Sequence, residues 1–340
     1  MALNEQSLDE LLSTPHAETI AMMQRLKGDI MILGVAGKMG MTLAAMAVKA
    51  CRNAGVEKNI YGVARFSDPE SVQKLEEHGV KTIKCDLLNR EELKSLPAVP
   101  NIIYMAGRKF GTDGSEDLTW AMNAVCPAFV AETFAASNIV AFSTGCVYPL
   151  RSVREGGCTE AIAPAPVGEY SQSCLGRERV FQYYSRKNGT KILLYRLNYA
   201  IDMRYGVLHD IASKIINDEP VDASVGHFNI IWQGDANNYA LRCLEHCSNP
   251  PALMNITGPE TVSVKYAAEY MGAKMGKKVT YSAPEFGDRC YLNNADKALS
   301  LFGYPTISVR QMLDWQAEWL LHGGRSLGKP THFEVNNGKF

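Results

Sequence analysis

The stretch Ile30-Met31-Ile32-Leu33-Gly34-Val35-Ala36-Gly37-Lys38-Met39-Gly40 restricts the fold of this chain more than any other. Four consecutive apolar residues suit a strand buried on both faces. The glycines at 34, 37 and 40 then lead directly into a helical pattern in which Met39, Leu43 and Met46 share one side. A strand, a tight glycine turn and a helix in that order make the first unit of a dinucleotide crevice. Glycine lets the main chain approach a diphosphate closely, and the free N–H groups and dipole at the helix start face its negative charge. Gly34, Gly37, Lys38, Met39 and Gly40 are therefore the candidate phosphate-binding turn.

The same rhythm runs on for some 170 residues. Apolar runs at 60–63, 82–85, 102–105, 139–142 and 192–197 alternate with helical stretches. These are 39–52, one opened by Asp68-Pro69, one opened by Asn89 with Glu92 in capping-box position, 116–136 and 170–187, the last closed by Asn188-Gly189. Right-handed crossovers would stack these runs into an α/β, Rossmann-like, doubly wound parallel sheet. Two short helical patterns precede it, at 7–12 and from Thr14-Pro15 to Leu26. After Asn198 the rhythm loosens into polar loops, helices at 205–217, 237–247 and 309–321, and a short strand at 253–256. The expected division is a helical arm (1–28), a dinucleotide-binding domain (29–200) and a smaller substrate lobe (201–340).

Charge and cysteine content narrow the function classes. With 35 basic against 36 acidic residues, no global field draws the chain to nucleic acid or an anionic membrane. No apolar stretch is long enough to span a bilayer, and the start MALNEQSLDELLS has no signal-peptide pattern, so a cytoplasmic protein is expected. Nine cysteines, an odd number, fit thiols in a reducing compartment. Cys243 and Cys247 lie one helical turn apart around His246, but no second ligand pair accompanies them. The spacing favours a packed helix face over a zinc site, and no metal is expected.

In a crevice of this kind an acid at the end of the second strand holds the adenosine ribose of NAD. None stands there. Ile60-Tyr61-Gly62-Val63-Ala64-Arg65-Phe66-Ser67 offers Arg65 and Ser67 instead, a guanidinium and a hydroxyl suited to a 2'-phosphate. The cofactor expected is NAD(P), with NADP favoured. The alternative is that Arg65 is a solvated loop residue or stacks on adenine.

Taken in order, the motifs resemble the extended short-chain dehydrogenase/reductase family, the NAD(P)-dependent epimerase/dehydratase group, over nearly all of the chain after the arm. Gly34-x-x-Gly37-x-x-Gly40 has that family's spacing. Cys85-Asp86-Leu87 resembles its third-strand motif and Tyr104-Met105-Ala106-Gly107 its fourth-strand loop; Asn123 falls at its helix asparagine. Phe142-Ser143-Thr144 is similar to the segment carrying the catalytic hydroxyl, and Glu169-Tyr170-Ser171-Gln172-Ser173-Cys174 to the start of the catalytic helix. Arg196-Leu197-Asn198 and Ile231-Trp232-Gln233-Gly234-Asp235 resemble later family segments. The resemblance implies cofactor contacts from Asp86, Leu87, Ala106, Gly107, Asn123, Tyr170 and position 174. It also implies Thr144 orienting the reacting oxygen, Tyr170 as acid/base, and a homodimer formed through helices on one face of the sheet.

One position breaks the pattern. The family has a lysine one turn after the tyrosine, whose charge favours the phenolate and which holds the nicotinamide ribose; here it is Cys174. A neutral thiol supplies neither charge nor strong donors. In one reading another cation fills in: Lys109 after the fourth strand, its neighbour Arg108, or Arg177 one turn beyond Cys174. In a second, oxidised nicotinamide and the Thr144 hydroxyl suffice for slower chemistry. In a third, the chain binds dinucleotide without catalysis, as a redox sensor for instance. The segment His227-Phe228-Asn229-Ile230 lacks the arginine that nucleotide-sugar enzymes of this family carry before their Asp235-type segment. Lys109, Phe110, Thr144, Asn198, Tyr199, His227 and Trp232 would suit a smaller hydroxylated compound, a sugar or sugar acid.

Overall fold

The computed structural model describes residues 3–109, 114–282 and 287–335. Seven parallel strands form its centre: β1 (Ile30–Leu33), β2 (Ile60–Ala64), β3 (Lys81–Lys84), β4 (Asn101–Tyr104), β5 (Asn138–Thr144), β6 (Ile192–Leu197) and β7 (Ala252–Ile256). Their spatial order is β7-β6-β5-β4-β1-β2-β3. The inner strands are continuous runs of buried Ile, Val, Leu and Met because helices cover both faces, whereas β3 sits at one edge and carries exposed lysines at both ends. The chain reverses direction across the sheet between β1 and β4. The loops that follow these two strands therefore part and leave a crevice at the carboxyl edge.

The first eight helices are α1 (Glu5–Leu12), α2 (Ala17–Arg25), α3 (Gly40–Ala54), α4 (Pro69–Glu77), α5 (Arg90–Lys94), α6 (Glu116–Trp120), α7 (Cys126–Thr133) and α8 (Gly168–Asn188). The expected single helix at 116–136 is interrupted by a π turn, Ala121–Val125. Pro127 has no N–H to give to the carbonyl four residues back, and the ladder widens by one residue just before it. The side chain of Asn123, in that turn, is fully buried.

The rest of the chain contains α9 (Val207–Ile216), α10 (Gln233–Arg242), α11 (Val264–Met275), α12 (Asp296–Phe302) and α13 (Val309–Leu321). Helices α9, α11 and α13 build a second core around Ile211, Met271 and Leu313, and Leu8 and Leu12 of α1 pack into it. Two sequence expectations are corrected here. The strand near 253–256, grouped with the second lobe, is the edge strand β7 of the main sheet, in register with β6 from Leu193 to Leu197, and α10 and α12 pack on the sheet core. Helix α2 begins at Ala17 rather than at Thr14-Pro15. Asn238 of α10 accepts from the His16 N–H and the Thr19 hydroxyl, both at 2.7 Å, so a tertiary contact sets the start.

Candidate active-site cleft

Two cavities meet end to end in the crevice and share Gly34, Gly37, Met105 and Gly107. One, of about 410 Å³, is lined by Arg65, Ser67, Asp86, Leu87 and Ala106. The other, of about 260 Å³, runs from Lys38, Met39 and Gly40 past Lys109 to Thr144, Tyr170, Asn198 and Tyr199. The glycines open this path. Gly34 has φ +90°, and a Cβ there would lie 2.7 Å from the Ala106 backbone nitrogen; one on Gly40 would collide with the Val35 carbonyl, which packs helix α3 on β1. These cradles fit the diphosphate of a dinucleotide.

At the far end, Thr144 closes β5 and Tyr170 lies in the first turn of α8. Both line the same cavity, the Thr144 hydroxyl is near enough to favour the ionised form of the Tyr170 phenol, and Thr144 Oγ1 accepts from the Cys146 N–H at 3.2 Å. A buried polar network braces the strand ends beneath them. Ser143 donates to Glu178 at 2.6 Å; Arg196 grips both oxygens of Glu178 at 2.9 and 2.6 Å and donates to the Tyr148 hydroxyl, which in turn donates to Asn255. Each charge in this network has its counter-charge, the condition under which a buried ion pair is tolerated.

Cys174 is fully buried among Val147, Tyr148 and Cys158. Tyr170 packs against the same cluster, and burial pushes the thiol up, away from thiolate. One turn further along α8, Arg177 lines the smaller cavity although it is only 6% exposed. Its guanidinium donates to the Phe142 carbonyl at 2.8 Å and to Asn123 Oδ1 at 2.6 Å. Gly107 makes room for it, since a Cβ at that position would collide with Nη2. Asn123 also accepts from the Arg108 N–H and donates to the Arg108 carbonyl, both at 2.9 Å, so one amide fixes the fourth-strand loop and the guanidinium together. Burial raises the Tyr170 phenol well above its usual range, with Cys174 and Cys146 adding to the rise. The Arg177 charge and the Thr144 hydroxyl pull the other way without cancelling it.

Lys109 is half-buried, with its amine 5.9 Å from the centre of the Tyr170 ring and donating to the Thr331 carbonyl at 3.1 Å. Burial lowers its pKa. Of the other expected site residues, Phe110 lies outside the described residues. His227 and Trp232 do not line the cleft. His227 sits on a two-residue strand paired with Ser263, and Trp232 packs edge-to-face on Trp315 in the second core. Asn123 and Cys174 sit behind the cavity wall. Tyr205 and Thr331, which the sequence did not single out, do line the smaller cavity. Thr331 belongs to a tail that looks like an unremarkable loop in the sequence. Its N–H and hydroxyl both donate to Asp210 of α9, and Phe333 packs on Phe228.

The profile of the NAD dependent epimerase/dehydratase family matches residues 30–201. No curated protein sequence matches the chain. Among solved structures it is similar to UDP-glucuronic acid 4-epimerase from Bacillus cereus in complex with UDP-glucuronic acid and NAD. That match has TM-score 0.68 and 19% identity, and covers 86% of this chain and 99% of that one. It is similar to UDP-glucose 4-epimerase from Thermotoga maritima with UDP-glucose, with TM-score 0.69, 17% identity, and 87% and 99% covered. It is also similar to dTDP-glucose 4,6-dehydratase from Bacillus anthracis with NAD, with TM-score 0.71, 16% identity, and 86% and 96% covered. At these identities the likeness is one of fold.

Proposed function

Since this chain belongs to the NAD dependent epimerase/dehydratase family, we propose that it is an NAD(P)-dependent oxidoreductase or epimerase acting by hydride transfer on a small polyhydroxylated substrate. The observation that carries this reading is that Thr144 and Tyr170 line one cavity together with the glycine turn. The bound nicotinamide would supply or accept the hydride. The backbone of the turn Gly34, Gly37, Lys38, Met39 and Gly40 would hold the diphosphate, Asp86 and Leu87 the adenine, and Ala106 and Gly107 the middle of the cofactor. Arg65 and Ser67, at the rim of the adenosine cavity, support NADP over NAD.

Thr144 orients the reacting oxygen and Tyr170 exchanges its proton. The missing lysine's charge is assigned to Arg177, which bears directly on the phenol, while Lys109 lies over the ring face and is turned toward Thr331. Asn123 is a positioning residue that holds Arg177, and Cys174 fills space. With its phenol raised by burial, Tyr170 is protonated near neutral pH and starts as a donor. The site is therefore set for the carbonyl-reducing half of the chemistry, and the oxidising half needs the positive charge of oxidised nicotinamide nearby.

The lobes divide the work, residues 29–200 taking the cofactor and the remainder shaping the substrate end. The small volume of the cavity that carries Tyr170, with Tyr205 and Thr331 on its wall, supports a substrate smaller than a nucleotide sugar. Exposed Leu118, Trp120, Val125 and Tyr183, on the α6–α8 side, support a homodimer. The test is to incubate the protein with NADP or NAD and a panel of sugars and sugar acids, following reduced-nicotinamide absorbance and product stereochemistry, with Tyr170→Phe as control. Turnover that disappears in the variant is expected. Cofactor binding with no Tyr170-dependent turnover across the panel would establish the non-catalytic alternative.

A further inference from the structure

We infer that the reacting half of the cleft holds its substrate by an anionic group, a carboxylate or a phosphate monoester, clasped between Lys38 and Lys109. The inference rests on the proposed function, in that the cleft must take a second molecule beside the dinucleotide. Among the described residues lining this cavity four are basic, Lys38, Arg108, Lys109 and Arg177, and none is Asp or Glu. The whole chain is nearly neutral, so this is a local concentration of positive charge.

The four cations are not equivalent. Arg177 is committed to the Phe142 carbonyl and Asn123, and the Arg108 backbone is pinned by the same asparagine. Lys38 leaves the glycine turn in the direction of the second lobe. Its amine lies over the Tyr205 ring, and the residue lines the reacting cavity, not the one that carries Arg65 and Ser67. Lys109 approaches the same space from the opposite loop, against Tyr170 and Thr331.

Burial disfavours both ammonium groups; the charge of Lys109 adds to this at Lys38, while Asp210 and Glu334 partly offset it at Lys109. The acids that partly offset Lys38 come from the second lobe, and both are engaged elsewhere. Asp202 pairs with Arg204 at 2.8 Å, and Asp210 accepts from the Thr331 N–H and hydroxyl. Lys329 adds a further positive charge near Lys38. Two half-buried like charges converging on one cavity are stabilised when an anion joins them. The dinucleotide diphosphate does not remove the need, because the backbone N–H groups of the glycine turn and the start of α3 serve it, while Lys109 stands at the Tyr170 end. Thr144 and Tyr170 line the same cavity. The substrate class is therefore a short hydroxy acid, a sugar acid or a sugar phosphate whose anionic group lies a few bonds from the reacting carbinol.

The test uses the full chain saturated with NADP and three matched probes: glucose, gluconate and glucose 6-phosphate. Calorimetric titration reads binding without requiring turnover. Saturable binding of at least one anion, at least about 30-fold tighter than glucose, is expected, and the preferred member separates the carboxylate from the phosphate source. In Lys38→Met and Lys109→Met this discrimination should fall by about tenfold each, more than the NADP dissociation constant moves, and raised salt should weaken the anion in the parent protein. Equal or better binding of glucose overturns the inference, as does failure of both anions to bind, or loss of NADP affinity in the variants with unchanged discrimination. Anion binding without Tyr170-dependent turnover supports the anion site and counts against the catalytic reading. Turnover of neutral sugars alone does the reverse.

Discussion

The two halves of the crevice are built by different means. The adenosine half consists of loops that each follow directly from a strand: Gly34 after β1, Arg65 and Ser67 after β2, Asp86 and Leu87 after β3, Ala106 after β4. The reacting half is assembled across the chain. Arg177 meets Asn123 over 54 residues of sequence, and Lys109 meets Thr331 over 222. A site made of strand-end loops depends on local turn chemistry and the switch point of the sheet. A site made of long-range contacts depends on how helices pack, and it can replace one charge with another from a different direction.

The largest effect expected is at the junction between the halves. Tyr170→Phe removes the proposed acid/base hydroxyl and should lower kcat by about 10²–10⁴-fold, leaving the dinucleotide dissociation constant within about threefold. Rapid-mixing kinetics and fluorescence titration separate the two quantities. Equal losses in both would mean that the halves are not functionally distinct.

The same contrast decides what was legible in the sequence. Six of the seven strands and the glycine turn were legible because buried parallel strands are continuous apolar runs and the turn has a fixed spacing, whereas β7 was grouped with the second lobe. The lining of the adenosine cavity followed, each residue sitting at a predictable offset from a strand. Arg177 was visible only as a cation one turn past Cys174. What gives it a place is the space left by Gly107 and the amide of Asn123, turned inward by a π turn that no periodicity announces. Thr331 and Tyr205 had no signal, since only the packing of the tail on α9 brings Thr331 to the cleft. His227 and Trp232 were drawn in by residue type, and they went to a strand pair and an aromatic contact instead.

Arg177→Met sharpens the comparison next. A positive charge favours the phenolate, so its loss raises the Tyr170 pKa further, and the limb over which oxidation-direction kcat rises with pH should move to higher pH. A fall in kcat of about 10–100-fold is expected, with partial recovery in Arg177→Lys. Stability should also drop by about 2 kcal/mol, because the Phe142 carbonyl loses its buried donor. A purely structural Arg177 would lower Tm and leave the pH limb in place.

On the adenosine side the expected change is smaller. Arg65 is exposed, and a solvent-screened guanidinium–phosphate contact contributes modestly. Arg65→Ala should weaken NADP by roughly tenfold and NAD by less than threefold, measured by titration at fixed ionic strength. An equal effect on both dinucleotides would move Arg65 from the 2'-phosphate to the adenine face.

The smallest effect belongs to the residue that departs most visibly from the family pattern. Cys174 packs in the same cluster as Tyr170, and burial keeps its thiol neutral, so it contributes volume and little charge. Cys174→Ala should leave kcat within about threefold and cost about 1 kcal/mol in stability for the space vacated. Reintroducing the family residue as Cys174→Lys is expected to fail. The position is fully buried beside Val147 and Tyr148, Arg177 already supplies a cation one turn away, and a second buried ammonium would add repulsion and desolvation cost. That variant should lower Tm without raising kcat. A gain in kcat would show that the charge of Arg177 does not reach the phenol effectively, and that the reacting half had lost its cation rather than relocated it.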